Sequence, residues 1–405
     1  KLLNLLDVDV NLGYLDRNQN QPATDTEGGG GAIYTAFTSS PLTPVRFTTG
    51  TWGYGGGSSN PLAIATDGGF NNFFSKEFTS NITGVLHLAK GLDLKSQYGL
   101  IATSQKRRTF NRRIDYFNPV SNAIIYTTTP NNSLREVGTT TTLQNFSTQV
   151  DYSLNLNNHH FKLLGGYQQE TYLFDAFIAS KTNLVSDEVP VLNIGSLNPT
   201  ATGDAYQYAL QSLFSRINYD YAGKYLLEFN LRYDGSSRYA PGHKWGLFPS
   251  VSAGWRFSEE DFIKSQEQRW FSDGKIRASY GTLGNQYGAD GPAYSEWYPY
   301  VKVLTSVSTM PIGNILTTGF AQTILSNPLL QWEKATMLNI GMDLAFFNNR
   351  LTFTGDWFNK KTVDIQLKVP QPDVIGLTVP DQNAGAISNK GYEISLGWND
   401  NIGGF

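Results

Sequence analysis

Residues 213–238 read LFSRINYDYAGKYLLEFNLRYDGSSR. Ile217, Tyr219 and Tyr221 alternate with Arg216, Asn218 and Asp220, and after Ala222-Gly223-Lys224 the alternation resumes. Tyr225, Leu227, Phe229, Leu231 and Tyr233 are then set against Glu228, Asn230, Arg232 and Asp234. Successive side chains of a strand point to opposite faces, so the stretch encodes an antiparallel hairpin with one apolar and one strongly polar face.

The same plan recurs in both directions along the chain. Phe146, Val150, Tyr152, Leu154 and Leu156 lead into a turn at Asn157-Asn158-His159-His160, from which Phe161, Leu163 and Tyr167 return. Ile82, Leu86 and Leu88 precede Ala89-Lys90-Gly91, and Leu92, Leu94, Tyr98 and Leu100 follow. Leu338, Ile340, Met342, Leu344 and Phe346 precede Asn348-Asn349, and Leu351, Phe353 and Trp357 follow. Single strands are predicted at Val8–Tyr14, Val251–Phe257, Ile276–Tyr280 and Tyr392–Trp398, for a total of about 12 strands.

Connections alternate in length. The hairpin turns take a few residues, whereas the returns near 16–74, 103–143, 172–209, 284–331 and 368–390 are long and rich in Gly, Asn, Thr and Pro. Short turns at one rim and long loops at the other characterise outer-membrane barrels, with the long loops outside the cell. Aromatics beside the short turns, such as Tyr219, Tyr221, Tyr225, Phe257, Phe346 and Phe347, suit an interfacial girdle. Arg216, Glu228, Arg232, Asp343 and Glu393 must then face the lumen, because a cation at mid-bilayer costs about 2–4 kcal/mol. The fold class expected is all-β, an antiparallel transmembrane β-barrel, with residues 1–405 forming one arc of a larger barrel.

Composition agrees with that class. Charged residues are 16% of the 405, against about 25% in an average soluble domain, while Gly 40, Tyr 22, Phe 24 and Trp 8 are generous. Mean hydropathy is −0.31, and no run of about 18 apolar residues exists to form a spanning helix. A net charge of −3 gives no footprint for nucleic acid, the Arg107-Arg108 and Arg112-Arg113 cluster being read as a solvated loop. Cysteine is absent, so neither disulfides nor thiolate metal sites hold the fold.

Particular residues then resemble a known family. The stretch Leu213–Ile263, with Arg232-Tyr233-Asp234-Gly235-Ser236-Ser237-Arg238-Tyr239, Phe248-Pro249-Ser250 and Gly254-Trp255-Arg256, is similar to the barrel of SusC/RagA-type TonB-dependent outer-membrane transporters of Bacteroidetes. So are Lys275–Gly281, Gly284-Asn285-Gln286, Trp332-Glu333-Lys334, Asp356–Lys361 and Asn389–Glu393. The resemblance implies a barrel of about 22 strands closed by an N-terminal plug. It further implies energisation through TonB-ExbB-ExbD, a SusD-like surface lipoprotein as partner, and import of glycans or peptides across the bacterial outer membrane. Against a whole member of that family the sequence lacks a plug, a TonB box and the last strands.

Residue patterns for chemistry are weak by comparison. Asp7-Val8-Asp9-Val10-Asn11 lacks the glycine and terminal Glu of a calcium loop and reads as a lumen-facing strand. Glu259-Glu260-Asp261 reads as a short helical periplasmic turn, and adjacent carboxylates do not face one another across a cleft. His159-His160 has no partners at metal-ligand spacing. Gly28–Gly31 and Gly53–Gly57 lack the Lys-Ser/Thr of a phosphate loop. No cofactor, metal or catalytic group is therefore expected, and the chain is read as a non-enzyme. The positive signal is a set of aromatics on predicted external loops or upper strand ends: Trp52, Tyr54, Tyr239, Trp245, Trp297, Tyr298 and Tyr300. Exposed aromatics there can stack on sugar rings or peptide side chains. Two other function classes stay open at this stage, a passive pore or structural barrel and a soluble secreted carbohydrate-binding β-protein.

Overall fold

The computed structural model describes residues 5–23, 32–42, 44–54, 60–118, 120–264, 270–287, 297–313 and 315–400. Sixteen strands occur among them: β1 (Leu6–Pro22), β2 (Gly69–Ala89), β3 (Leu92–Asn111), β4 (Asp115–Phe117), β5 (Ile124–Thr127), β6 (Ser133–Leu156), β7 (His159–Leu184) and β8 (Gly195–Tyr221), then β9 (Tyr225–Ser236), β10 (Trp245–Trp255), β11 (Phe271–Asn285), β12 (Thr305–Ile312), β13 (Ile315–Ala321), β14 (Glu333–Phe346), β15 (Leu351–Leu367) and β16 (Gln382–Trp398). Twelve form one sheet in the order β1-β2-β3-β6-β7-β8-β9-β10-β11-β14-β15-β16, and the pairs β4-β5 and β12-β13 are separate hairpins within loops. Each sheet strand pairs antiparallel with its neighbours in that order.

Register carries the face assignment. Leu227 pairs with Tyr219 on one side and Ala253 on the other, and Glu228 with Asn218 and Ser252. Apolar therefore meets apolar and polar meets polar across the sheet, because one step along a strand changes the face. The apolar face is open: Leu227 is 49% and Phe229 41% exposed, as are Leu213, Ile217, Val251, Ile276, Ile340 and Trp357 to similar degrees. The described residues hold three small buried clusters, around Trp52, Tyr239 and Phe110, in loops and outer strand ends. A sandwich in water would bury the apolar face against a second sheet. Here it is presented outward, as a surface for hydrocarbon.

Tight turns follow from local chemistry. Asn157, Ala222, Asn348 and Asn349 all adopt positive φ in tight hairpin turns of two, three and four residues. Gly91 is obligatory: its φ is +77°, and a Cβ there would lie 2.4 Å from the Ser153 carbonyl oxygen. Between β10 and β11 the chain forms a 3-10 turn at Phe257–Glu259 and a short helix at Asp261–Lys264, matching the helical turn expected there. Phe257 belongs to that turn and not to the preceding strand.

Several expected boundaries move. His159 and His160 lie in β7, so the turn before them is confined to Asn157 and Asn158. The returns expected near 103–143 and 172–209 are largely strand: β3 runs to Asn111, β6 starts at Ser133, and β7 and β8 reach 26 and 27 residues. About 9–11 residues cross a bilayer, so these strands continue as a paired wall beyond it. Arg107 and Arg108 consequently sit on β3 and not in a solvated loop, and Arg108 is held by Glu136 at 2.8 Å. Asp7–Asn11 lies in β1, as a strand. The glycines at Gly28–Gly31 and Gly55–Gly57 lie outside the described residues.

Candidate functional site

The polar face is a hydrogen-bonded wall. Arg216 Nε donates to Asn230 Oδ1 at 2.6 Å, Asn218 Nδ2 to Glu228 Oε2 at 2.6 Å, and Asn230 Nδ2 to Glu228 Oε1 at 2.8 Å. Farther along, the Arg277 guanidinium donates to both Asp356 oxygens at 2.7 Å and to Asp343 Oδ2 at 3.0 Å. A planar fork meeting a carboxylate through two N–H bonds is the strongest geometry such a pair offers. Two recesses open on this face, of about 450 Å³ beside Lys162, Asp220, Lys275 and Arg277 and about 640 Å³ beside Arg232, Asp234, Phe248 and Lys360.

Above the wall a loop core is pinned to the same face. Tyr239, Phe248, Leu330 and Trp332 pack together. Gln366 Nε2 donates to the Tyr239 hydroxyl at 2.7 Å, and Trp332 Nε1 to the Lys244 carbonyl at 2.8 Å. Burial raises the Tyr239 phenol above its ordinary range and lowers the Arg238 guanidinium below its own, since each loses solvation of its charged form.

Beside that core lies a shelf of stacked rings. Phe174 stacks on Tyr206 with centroids 4.4 Å apart, Tyr206 on Trp297 at 3.8 Å, Trp297 on Tyr208 at 5.8 Å, and Tyr208 on Tyr172 at 5.3 Å. The Arg238 guanidinium lies 5.8 Å from the Trp297 ring. Unbroken register from His159↔Tyr221 to Ser180↔Thr200 puts Tyr172, Phe174, Tyr206 and Tyr208 on the face of Arg216. The shelf is therefore an upward continuation of the polar wall.

Of the aromatics expected at a binding surface, Trp297 belongs to this shelf, and Tyr298 adjoins it by donating its hydroxyl to the Gln207 carbonyl. Tyr300 meets Tyr298 edge to face at 6.3 Å. The others go elsewhere. Trp52 is buried, with its indole N–H on Asp67 at 2.8 Å and the Arg46 guanidinium 3.5 Å from its ring. Tyr54 stacks on Tyr126 within the same loop core. Tyr239 is 1% exposed and so cannot stack on a ligand. Trp245 lies on the apolar face, stacked on Tyr233 at 4.8 Å, where it completes an aromatic rim. Sequence reasoning missed Tyr172, Phe174, Tyr206 and Tyr208, whose alternation in YLF and YQY was the available signal.

This combination of an exposed apolar face, a wired polar face and long outer strands has known counterparts. Residues 11–405 match a family model described as TonB dependent receptor-like, beta-barrel. The chain belongs to that family. TonB-dependent receptor P3 of Formosa agariphila is 30% identical over 387 residues, covering 94% of this chain and 37% of the relative. TonB-dependent receptor SusC of Bacteroides thetaiotaomicron is 34% identical over 197 residues, covering 48% of this chain and 19% of the relative. The chain thus spans well under half the length of these relatives. In fold it is similar to the RagAB peptide importer in its closed-closed state, with a TM-score of 0.78 at 24% identity over 99% of this chain and 43% of that one. As an arc of a TonB-dependent receptor barrel, the sheet sets its apolar face to lipid and its polar face to the lumen, so wall, loop core and shelf all border the lumen.

Proposed function

We propose that this chain is the wall segment of a SusC/RagA-type importer that carries oligomeric nutrients, glycans or peptides, across the bacterial outer membrane. In this reading TonB-ExbB-ExbD energises transport and a SusD-like lipoprotein caps the external side. The observation that carries it is the polar face of β8–β11 and β14–β15, where charged side chains are wired to one another while the reverse face stays apolar and exposed. A wall built this way keeps a water-filled path inside a hydrocarbon slab. The ring shelf of Tyr206, Tyr208 and Trp297, with Tyr298 and Tyr300 nearby, is where cargo would stack. No group transfer is assigned to the chain, whose role is passage and not chemistry.

The test uses the full-length protein. Deleting its gene should abolish growth on the polymer or peptide mixture that the cell takes up through it, and inactivating TonB should reproduce the loss. A lipoprotein should co-purify from outer-membrane fractions. Uptake that persists without TonB would mark a passive pore, and recovery in the soluble fraction a secreted β-protein; either result defeats the proposal.

A further inference from the structure

Near the external end of β11 and β14 the two faces of the sheet exchange their character. Lower down, Ile276, Ala278 and Tyr280 pair with Met342, Ile340 and Leu338 on the lipid face, and Arg277 and Ser279 with Gly341 and Asn339 on the lumen face. The register then continues without a shift to Asn285↔Glu333. Above Tyr280, however, the outer face carries Thr282 and Thr336, whose hydroxyls lie 3.2 Å apart, followed by Lys334. The lumen face at the same level carries Gly281, Leu283, Ala335 and Met337. Leu283 is 73% and Met337 42% exposed. Once strands rise out of hydrocarbon, the bilayer demands apolar side chains on neither face. An exposed apolar patch turned inward at that level marks a contact with something in the lumen.

The patch forms one side of the recess of about 640 Å³. Pairing of β10 with β11 ends at Ser250↔Gly281, and above it Phe248 fills the gap between the parting strands. A Cβ on Gly284 would lie 2.1 Å from that ring, so the glycine lets Phe248 close the corner. The side contributed by β9 and β10 is polar, with Asn230 donating to Ser250 at 3.2 Å and Arg232 paired with Asp234 at 3.0 Å. Charges around the recess balance, since Glu228 and Asp234 stand against Arg232 and Lys360. Selection by net charge therefore has no basis there, whereas selection by apolar surface does.

We infer that this recess is a subsite for the aliphatic side chains of a peptide, with Leu283 and Met337 making the contact and Asn230 and Ser250 facing the peptide's amide groups. A peptide alternates apolar side chains with polar backbone, and the lining is divided in the same way. Sugar rings stack on flat aromatic faces, and Leu283, Ala335 and Met337 offer none. The unbranched thioether of Met337 adapts to side chains of different shape, so the subsite selects a class of residue and not one sequence. This rests on the import reading and narrows its cargo to peptides bearing aliphatic residues.

Calorimetry on the purified full-length protein would compare three neutral probes: the peptide Gly-Ser-Leu-Gly-Leu-Ser-Gly, acetylated and amidated, its analogue with asparagine in place of both leucines, and maltoheptaose. The leucine peptide should bind at least about tenfold more tightly than either of the others. Leu283→Asn and Met337→Gln should each weaken the leucine peptide about tenfold and leave the asparagine peptide unchanged. Heat-modifiable migration on gels would verify that each variant is folded. Leucine-peptide binding no tighter than that of the analogue or the glucan, or full affinity in both folded variants, overturns the subsite. So does a loss of thermal stability in the variants with the leucine preference intact, which would mean that the patch packs against another part of the protein. A protein that prefers the leucine peptide but imports nothing would instead defeat the import reading and leave the subsite standing.

Discussion

Arg277 reaches across Gly341 to grip Asp356 with two hydrogen bonds of 2.7 Å. Gly341 is the enabling residue, because a Cβ there would lie 2.6 Å from both the Arg277 guanidinium carbon and an Asp356 oxygen. Three neighbouring strands, β11, β14 and β15, are thereby fastened by one side chain. Asp356→Asn should destabilise the barrel by about 1–3 kcal/mol, and Gly341→Ala should do the same by displacing the guanidinium. Urea unfolding in detergent micelles, followed by tryptophan fluorescence, measures both; an unchanged midpoint for each would show the fork to be idle.

Leu226 and Leu227 are neighbours with opposite fates. Leu227 faces lipid beside Tyr219 and Ala253, whereas Leu226 pairs with Asp220 on the lumen side. Leu227→Lys should therefore cost about 1 kcal/mol of membrane stability, less than at mid-bilayer because its partner Tyr219 lies in the interfacial girdle, and Leu226→Lys should be tolerated. Assembly into lipid vesicles, scored by gel mobility of the folded form, separates the two, and equal yields would contradict the face assignment.

Glu260 ties two short inter-strand turns together. It accepts from the Tyr225 hydroxyl at 2.6 Å, the Trp255 indole at 3.0 Å and Lys224 at 3.3 Å. The Tyr225 and Trp255 bonds, with Lys224 beside them, hold its carboxyl below the ordinary value of 4.5. A carboxyl lowered on folding contributes stability that is complete above that ordinary value and fades as pH falls through the lowered one. Trp255 emission should accordingly be steady from neutral pH down to about 5 and change only in stronger acid. In Glu260→Gln that acid transition should vanish, and its persistence would assign it to another group.

Trp297 is the shelf residue contributed by a loop, laid on Tyr206 and Tyr208 of β8. Trp297→Ala should weaken cargo binding by about 0.5–1.5 kcal/mol while leaving thermal stability of the barrel within about 0.5 kcal/mol. The contrasting substitution is Trp332→Ala. Trp332 is buried against Tyr239 and Phe248, so that change should lower stability by about 3–5 kcal/mol. Paired calorimetry and thermal melts distinguish stacking from packing.

How far the sequence could be read depended on what each strand face meets. Where one face touches lipid, as in Tyr225–Tyr233, alternation is sharp and the hairpin is legible. Beyond the membrane both faces meet water, so Thr139–Thr142 and Ala201–Tyr206 carry no apolar stripe and resemble loop. Their strands persist because the register set at Leu156↔His159 and His159↔Tyr221 continues upward unbroken. The shelf was hidden for that reason, as Tyr206 and Tyr208 fell in an expected return. Trp52 and Tyr239 mislead in the other direction, since their burial comes from segments distant in sequence, Asp67 and Ile114 for one and Gln366 and Leu330 for the other. Residue type marked candidate aromatics, but only packing sorts those facing a path from those inside a loop.

Every strand of the large sheet lies beside the sheet strand that follows it in the chain, from β1 to β16. Such a wall is modular in units of two. Removing or duplicating a whole up-and-down pair leaves all remaining strands running in their original directions, with each oily face still turned outward. Taking away a single strand would force every later one to reverse or to span the membrane with its connector. Barrel circumference in this architecture therefore grows or shrinks most readily in even steps.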